Sequence, residues 1–272
     1  MSDAASARYV MGHNDRERRR LALQASILNP FTEQLLRRAG VSSGMRVLDV
    51  GCGVGDVSMI AARLVGHRGQ VTALDIDPAA LATVRERAAE QGLANISVVP
   101  GNVGEFQPGQ AYDAVIGRHI LIHTSDPLNV LRSAARILRE GGVVAFQEFD
   151  FSATPASYPI CPVRDELFRV FREFFGRAIH GDIGARLFHL FLEAGFATPD
   201  CRGEYPIDGG QDSPFYEWTA ESFRSIFPRL EACGVTTSLN ADTLEQRLRE
   251  EAVEMRAGIS APLMVGGFAR KR

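Results

Sequence analysis

Tryptophan occurs once and cysteine only four times in these 272 residues, and no uncharged stretch approaches the length of a membrane span. A helix needs about 20 consecutive apolar residues to cross a bilayer, so no membrane-spanning helix is expected in this sequence. Met1 to Tyr9 lacks the apolar centre of a signal peptide, and a cytoplasmic protein is expected. The cysteines Cys52, Cys161, Cys201 and Cys233 stand far apart without a Cys-x-x-Cys pair, which removes the usual zinc and dithiol redox frameworks. Excess positive charge is missing too. Lys and Arg number 30 against 33 Asp and Glu, a formal charge of −3 that gives no general attraction to nucleic acid. The basic runs Arg16 to Arg20 and Arg270 to Arg272 read as solvated faces, the first interrupted by Glu17. Repeats, low-complexity tracts and a Gly/Ser/Pro linker are also absent.

What is present is a 45% apolar chain with a rhythm. From Arg46 to about Phe149, short β-branched runs alternate with helix-period segments, as in parallel βαβ units. The strands expected are Arg46 to Val50, Gln70 to Asp75, Ile96 to Pro100, Tyr112 to Gly117 and Val143 to Phe149. Between them, Val57, Ile60, Ala61 and Leu64 mark one helix face. Asp77-Pro78 and Asp126-Pro127 each read as an N-cap with proline at the first helical position. The first opens a helix buried at Leu81, Val84 and Ala88. The second opens one with Leu128, Leu131, Ala135 and Leu138 inward and Gly141-Gly142 as its stop.

Outside this core the pattern is helical. Residues 14–39 predict two helices separated near Asn29-Pro30, with Leu21, Ala25 and Leu28 inward on the first and Phe31, Leu35 and Leu36 on the second. Residues 163–179 carry a stripe of Leu167, Val170, Phe171, Phe174 and Phe175, which reads either as core or as the wall of a substrate pocket. After a helix near Gly184 to Ala194, Pro199 to Ile207 and Pro262 to Arg270 are expected as an antiparallel strand pair at the sheet edge. A helical excursion from Pro214 to Ala257 separates them.

The first strand runs into Asp49-Val50-Gly51-Cys52-Gly53-Val54-Gly55, a glycine turn that lets backbone approach a nucleotide-like ligand closely. Its Gly-x-Gly-x-Gly spacing is not the dinucleotide fingerprint, and Asp56 stands where a pyrophosphate would lie. Asp75 ends the next strand, where a carboxylate can accept from both hydroxyls of a ribose. Asn102, in Gly101-Asn102-Val103 after the third strand, offers an amide to an adenine edge. Together these positions trace one adenosine along the carboxyl edge of the sheet.

Val47 to Gly55, Ala73-Leu74-Asp75-Ile76-Asp77 and Tyr112-Asp113-Ala114-Val115-Ile116 resemble motifs of the class I S-adenosylmethionine-dependent methyltransferases, over roughly residues 41–150. The resemblance implies a doubly wound, Rossmann-like α/β fold with a seven-stranded sheet, mostly parallel with an antiparallel edge strand, plus helical lid segments. It implies S-adenosyl-L-methionine as cofactor, with Gly51 and Gly53 cradling the methionine part and ribose, Asp75 on the ribose, and Asn102 with Val103 at the adenine. Asp49, Ile76, Arg118 and Tyr9 complete the expected cofactor set. Many family members carry Asp where this chain has Asn102. The N-terminal Tyr9 to His13 with Arg19, Arg20 and Gln24 is similar to lids of small-molecule members, or is an ordinary packing helix.

Methyl transfer is an in-line displacement that asks mainly for alignment and exclusion of water, with a base where the acceptor must lose a proton. His119 and His123, in the loop after strand four, and Glu148, at the end of strand five, are the candidate catalytic residues. Asp150, on the same face as Glu148, could equally be the base, and each candidate has a structural alternative: the histidines as packing groups, the two carboxylates as caps of loops and backbone amides. Without a third ligand, His119 and His123 suggest no metal site. Tyr158, Tyr205, Tyr216 and Trp218 either enclose an aromatic or terpenoid substrate or pack. The chain is expected to form one methyltransferase domain: an N-terminal lid (1–43), a cofactor core (44–150), lid insertions (151–182 and 209–258) and sheet-completing segments (183–208 and 259–272). The expected acceptor is a small molecule, with O, N or C attacked, acted on by a monomer or homodimer. The alternatives are a protein that binds the cofactor without transferring methyl and, against the glycine spacing, a nicotinamide-dependent oxidoreductase.

Overall fold

The computed structural model describes residues 15–153 and 157–272. Among them the chain divides into two compact units, a sheet unit (28–148, 183–202 and 265–272) and a helical unit (up to residue 27, 149–182 and 203–264).

The sheet unit is built on β1 (Arg46–Val50), β2 (Gln70–Asp75), β3 (Ile96–Pro100), β4 (Tyr112–Arg118), β5 (Leu138–Asp150), β6 (Asp200–Glu204) and β9 (Leu263–Arg270). Their order is β3-β2-β1-β4-β5-β9-β6, mostly parallel with one antiparallel strand, and the last strand in sequence inserts between β5 and β6. β1 is parallel to β2 on one side, with Val50 opposite Leu74, and to β4 on the other, with Asp49 opposite Ile116. Strands covered on both faces must be apolar on both, and Val47, Leu48, Ala114, Val115 and Ile116 are all fully buried. One face packs on Val57, Ile60, Ala61 and Val65 of α2 (Asp56–Val65) and on Leu36 and Ala39. Asp77 and Asp126 cap their helices as expected, accepting from Ala79 N and Asn129 N, at the starts of α3 (Pro78–Glu90) and α4 (Pro127–Ile137).

Four local readings change. The two N-terminal helices are one, α1 (Asp15–Ala39), with Pro30 inside it. A proline in a helix interior costs about 3 kcal/mol. Leu28, Leu35 and Leu36 are buried on either side of it, and each such side chain returns about 1.5–3 kcal/mol. On α4 the inward face is Val130, Leu131, Ala134 and Ile137, while Leu128 and Ala135 are only half-buried. The same window supports both helical faces, and periodicity alone does not choose between them. β5 begins at Leu138, so Gly141-Gly142 lies within a strand and does not end a helix. The expected strand from Pro199 to Ile207 is split, because Pro206 has no N–H to give a ladder. Beyond it β7 (Ile207–Gly209) pairs antiparallel with β8 (Gly258–Ser260) in a separate ribbon.

The helical unit holds the first half of α1, α5 (Pro162–Ala178), α7 (Pro214–Ile226), α8 (Leu244–Glu254) and that ribbon; α6 (Ile183–Glu193) belongs to the sheet unit. Its core is aromatic. Phe151 stacks on Phe175 at 4.2 Å between ring centroids, Phe149 touches both Phe151 and Trp218, and Phe168 meets Phe171 edge-on. The phenylalanine stripe of α5 is therefore core, buried throughout. Trp218 and Tyr216 are buried as well, whereas Tyr158 is exposed and Tyr205 partly so. Arg164, almost fully buried, is held by Asp165 and Ser260, with its guanidinium 4.1 Å from the Phe168 ring centroid.

Candidate functional site

The chain winds from β1 towards β3 and then returns to place β4 on the other side of β1. In open α/β sheets the crevice for a ligand lies at the carboxyl ends of the strands where the order reverses. Here those ends belong to β1 and β4, which sets the glycine turn beside the loop after Arg118, with Ile120 of that loop against Gly51. Gly51 and Gly53 have φ of 63° and 52°, the left-handed region that side chains disfavour. A Cβ on Gly51 would run into the Ile120 side chain, whereas one on Gly53 would stand in open space. The first glycine is thus a packing requirement, and the second leaves room beside the backbone.

Carboxylates organise the turn. Asp49 lies buried at its base and accepts from Ser58 Oγ at 2.5 Å; burial pushes its carboxyl up to about 7. Asp75 accepts from Gly53 N at 2.8 Å and from Asp77 N at 2.9 Å, which ties the turn to the end of β2. Each carboxylate oxygen keeps a second lone pair for a further donor. Ile76, next in the chain, is 54% exposed, an apolar side chain at the strand end. After β3, Asn102 Oδ1 accepts from Gly104 N at 2.8 Å, and Val103 is buried. At the start of α2, Asp56 is paired with Arg87 at 2.7 Å and stands 3.8 Å from Arg118. That helix end already carries a carboxylate, which disfavours a diphosphate there.

Arg118 is more constrained than expected. Its Nη1 donates to Asn29 Oδ1 and Thr32 Oγ1, both at 2.9 Å, and Thr32 Oγ1 lies 2.6 Å from Gln147 Oε1. Burial lowers the pKa of its guanidinium, opposed by Asp56 and Asp49. His119 takes φ of 54° and donates its backbone N–H to Gln147 O at 2.9 Å, one residue past the end of β4. Glu148, expected as a base or an amide cap, has both oxygens turned on the loop: Oε1 accepts from Ile120 N (3.1 Å) and Leu121 N (2.8 Å), Oε2 from Ile122 N (3.3 Å). Complete burial pushes its carboxyl up to about 8 against the pull of those amides. His123 closes the next turn through its N–H to Ile120 O.

These features coincide with a known family: its methyltransferase domain matches residues 41–182, the whole stretch from the start of β1 to past β5. The chain belongs to the class I S-adenosylmethionine-dependent methyltransferases. It is 34% identical over 142 residues to the aklanonic acid methyltransferase DauC of Streptomyces sp. strain C5, covering 52% of this chain and 63% of that protein. That alignment therefore spans less than two thirds of its relative. It is 31% identical over 187 residues to the demethylmenaquinone methyltransferase of Listeria monocytogenes serotype 4a, covering 61% and 76% of the two chains. Among solved structures, an S-adenosylmethionine-dependent methyltransferase from Aquifex aeolicus covers 89% of each chain with a TM-score of 0.51 at 15% identity, which shows the fold.

Within this methyltransferase the ends of β1, β2 and β4 bring together Asp49, Gly51, Gly53, Asp75, Arg118 and His119. Tyr9 and the segment through His13 lie outside the described residues. Asp150 accepts from the N–H of Ser152 and from its hydroxyl, a local turn in the helical unit. Among the described residues, no group of three His, Cys, Asp or Glu side chains is placed to hold a metal ion. Sequence reasoning missed Asn29 and Thr32 as the holders of Arg118, and Gln147 as the holder of Thr32. The one signal was Thr32, a polar residue on the buried face of α1, overlooked because Asn29-Pro30 read as a helix end. Ile120 over Gly51 had no signal in the sequence at all.

Proposed function

We propose that the methyltransferase moves a methyl group from S-adenosyl-L-methionine to an oxygen, nitrogen or carbon of a small molecule, with S-adenosylhomocysteine as the second product. The observation that carries this reading is the glycine turn fastened to Asp75, with open space at Gly53 and a carboxylate where a diphosphate would sit. When bound, the cofactor supplies an electrophilic methyl carbon whose S–C bond breaks as the bond to the acceptor forms. Asp75 accepts from the ribose hydroxyls, Ile76 covers an adenine face, and Val103 with the Asn102 amide borders the adenine edge. With Asn102 Oδ1 accepting from Gly104 N, its Nδ2 would be the group to offer a donor to an adenine acceptor nitrogen. Asp49, with Gly51, holds the base of the turn, and Arg118 fixes the start of α2 through Asp56. His119 is the nearer candidate to take a proton from the acceptor, and His123 orients the loop.

Relatives named for aklanonic acid and demethylmenaquinone support the reading of an aromatic or quinoid acceptor. The formal charge of −3 argues against nucleic acid. Among the described residues no helix is long and apolar enough to cross a membrane. We place the enzyme in the cytoplasm, as a monomer or homodimer. The test is a calorimetric titration with S-adenosyl-L-methionine, then an assay for S-adenosylhomocysteine release with a panel of phenols, hydroquinones and polyketide acids. Binding with acceptor-dependent release is expected. No binding by the wild type would sink the reading, and binding with no release across the panel would favour a non-transferring cofactor protein.

A further inference from the structure

The three amides on Glu148 are more than a way of satisfying a buried carboxyl. They belong to consecutive residues, Ile120, Leu121 and Ile122, and they converge because His119 takes the left-handed conformation that turns the chain inward just before them. Successive N–H groups arranged in this way form a concave anion nest. In this protein the group seated in the nest is its own Glu148 carboxyl, carried on β5 beside the end of β4. The first residue of the nest is Ile120, whose side chain fills the space above Gly51 and also borders Gly117, where a Cβ would come within 3.0 Å of its Cγ2. A continuous chain of contacts therefore runs from Glu148 through three amides to Ile120, and from Ile120 to the glycine turn.

We infer that Glu148 is a positioning residue, which clamps the loop after β4 so that Ile120 presses on Gly51 and sets the shape of the cofactor turn. It acts through Ile120 and is not itself the base. The inference rests on the reading of this crevice as the cofactor site. It adds a specific coupling between the end of β5 and cofactor affinity. A carboxylate that accepts three amides has no oxygen turned to an acceptor, whereas a base needs one within about hydrogen-bond reach of the proton it takes. Glu148→Gln would replace one accepting oxygen by an N–H2 that faces the amides as a second donor, so the nest would open on that side.

The experiment is a double-mutant cycle on S-adenosylhomocysteine affinity, measured by calorimetry on wild type, Glu148→Gln, Ile120→Ala and the double variant. Glu148→Gln is expected to weaken binding about tenfold, the equivalent of one hydrogen bond. In the Ile120→Ala background, the same change should have little further effect. Additive losses, or an unchanged affinity in Glu148→Gln, would overturn the coupling. Amide resonances of Ile120, Leu121 and Ile122 give a second readout that needs no ligand. They should shift and exchange faster in Glu148→Gln and recover in part in Glu148→Asp, and unmoved amides would count against the clamp. Should Glu148→Gln fail to fold, Ile120→Ala alone decides, since a wild-type affinity there removes the link to the turn. A wild type that binds no S-adenosylhomocysteine would instead defeat the cofactor reading and leave the clamp to be judged on the amides.

Discussion

The two units of this methyltransferase are stabilised in different ways. In the sheet unit, polar groups at the strand ends are committed one by one to named backbone atoms: Asp75 to Gly53, Glu148 to the loop after β4, Asn102 to Gly104. The helical unit relies on ring against ring, from Phe168 through Phe171, Phe175 and Phe151 to Phe149 and Trp218. A hydrogen-bonded strand end fixes a few atoms tightly, as a conserved chemical group such as adenosine requires. An aromatic core fixes volume and tolerates exchange of one ring for another. That is the physical ground for expecting donor recognition to reside in the first unit and to survive changes in the second.

The comparison breaks most readily under the largest perturbation. Phe175→Ala removes a ring stacked on Phe151 and should cost about 3–5 kcal/mol of stability in a denaturant titration. S-adenosylhomocysteine affinity of the protein that remains folded should stay near the wild-type value. A parallel loss of affinity would mean that the two units do not divide the work. Gly51→Ala perturbs the other side. It places a side chain at φ of 63° and drives it into Ile120, so affinity should fall by about 100-fold or more while most of the stability remains. Asp75→Ala comes next. It removes the proposed ribose acceptor and releases Gly53 N, for an expected loss of about 10- to 100-fold by calorimetry. An affinity unchanged in Asp75→Ala would remove the reason for placing the ribose at the end of β2.

The same contrast explains what the sequence disclosed. β1 to β4 were readable nearly residue for residue, because strands buried on both faces leave apolar runs bounded by glycine, proline and aspartate. The caps at Asp77 and Asp126 were readable because their chemistry is local. The partners of Arg118 and Glu148 were not, since they depend on which residue of a distant element comes opposite. Thr32 and Arg118 are 86 positions apart, and no spacing rule connects them. The continuity of α1 through Pro30 was illegible for a similar reason: the local signal for a break was correct about propensity, and packing outweighed it. In the helical unit, periodicity found the stripe on α5 but could not distinguish a core from a pocket wall, which needs the rings of Phe149, Phe151 and Trp218 in place.

The smallest expected effect is the sharpest test of the sheet unit. Asn102 stands where many family members carry aspartate, and its Oδ1 already accepts from Gly104 N. Asn102→Asp would keep that bond, because a carboxylate oxygen replaces the amide oxygen at the same place. The second position would change from a donor to a charged acceptor, suited to the exocyclic amine of adenine. If the adenine edge does meet residue 102, S-adenosylhomocysteine should bind about three- to fivefold more tightly in the variant. The S-inosyl analogue, which presents a carbonyl where adenine presents the amine, should bind less tightly than to the wild type. A change of the same sign for both ligands would show that residue 102 acts only through the general field of its charge, and that the adenine lies against Val103 and Ile76 without being read by this side chain.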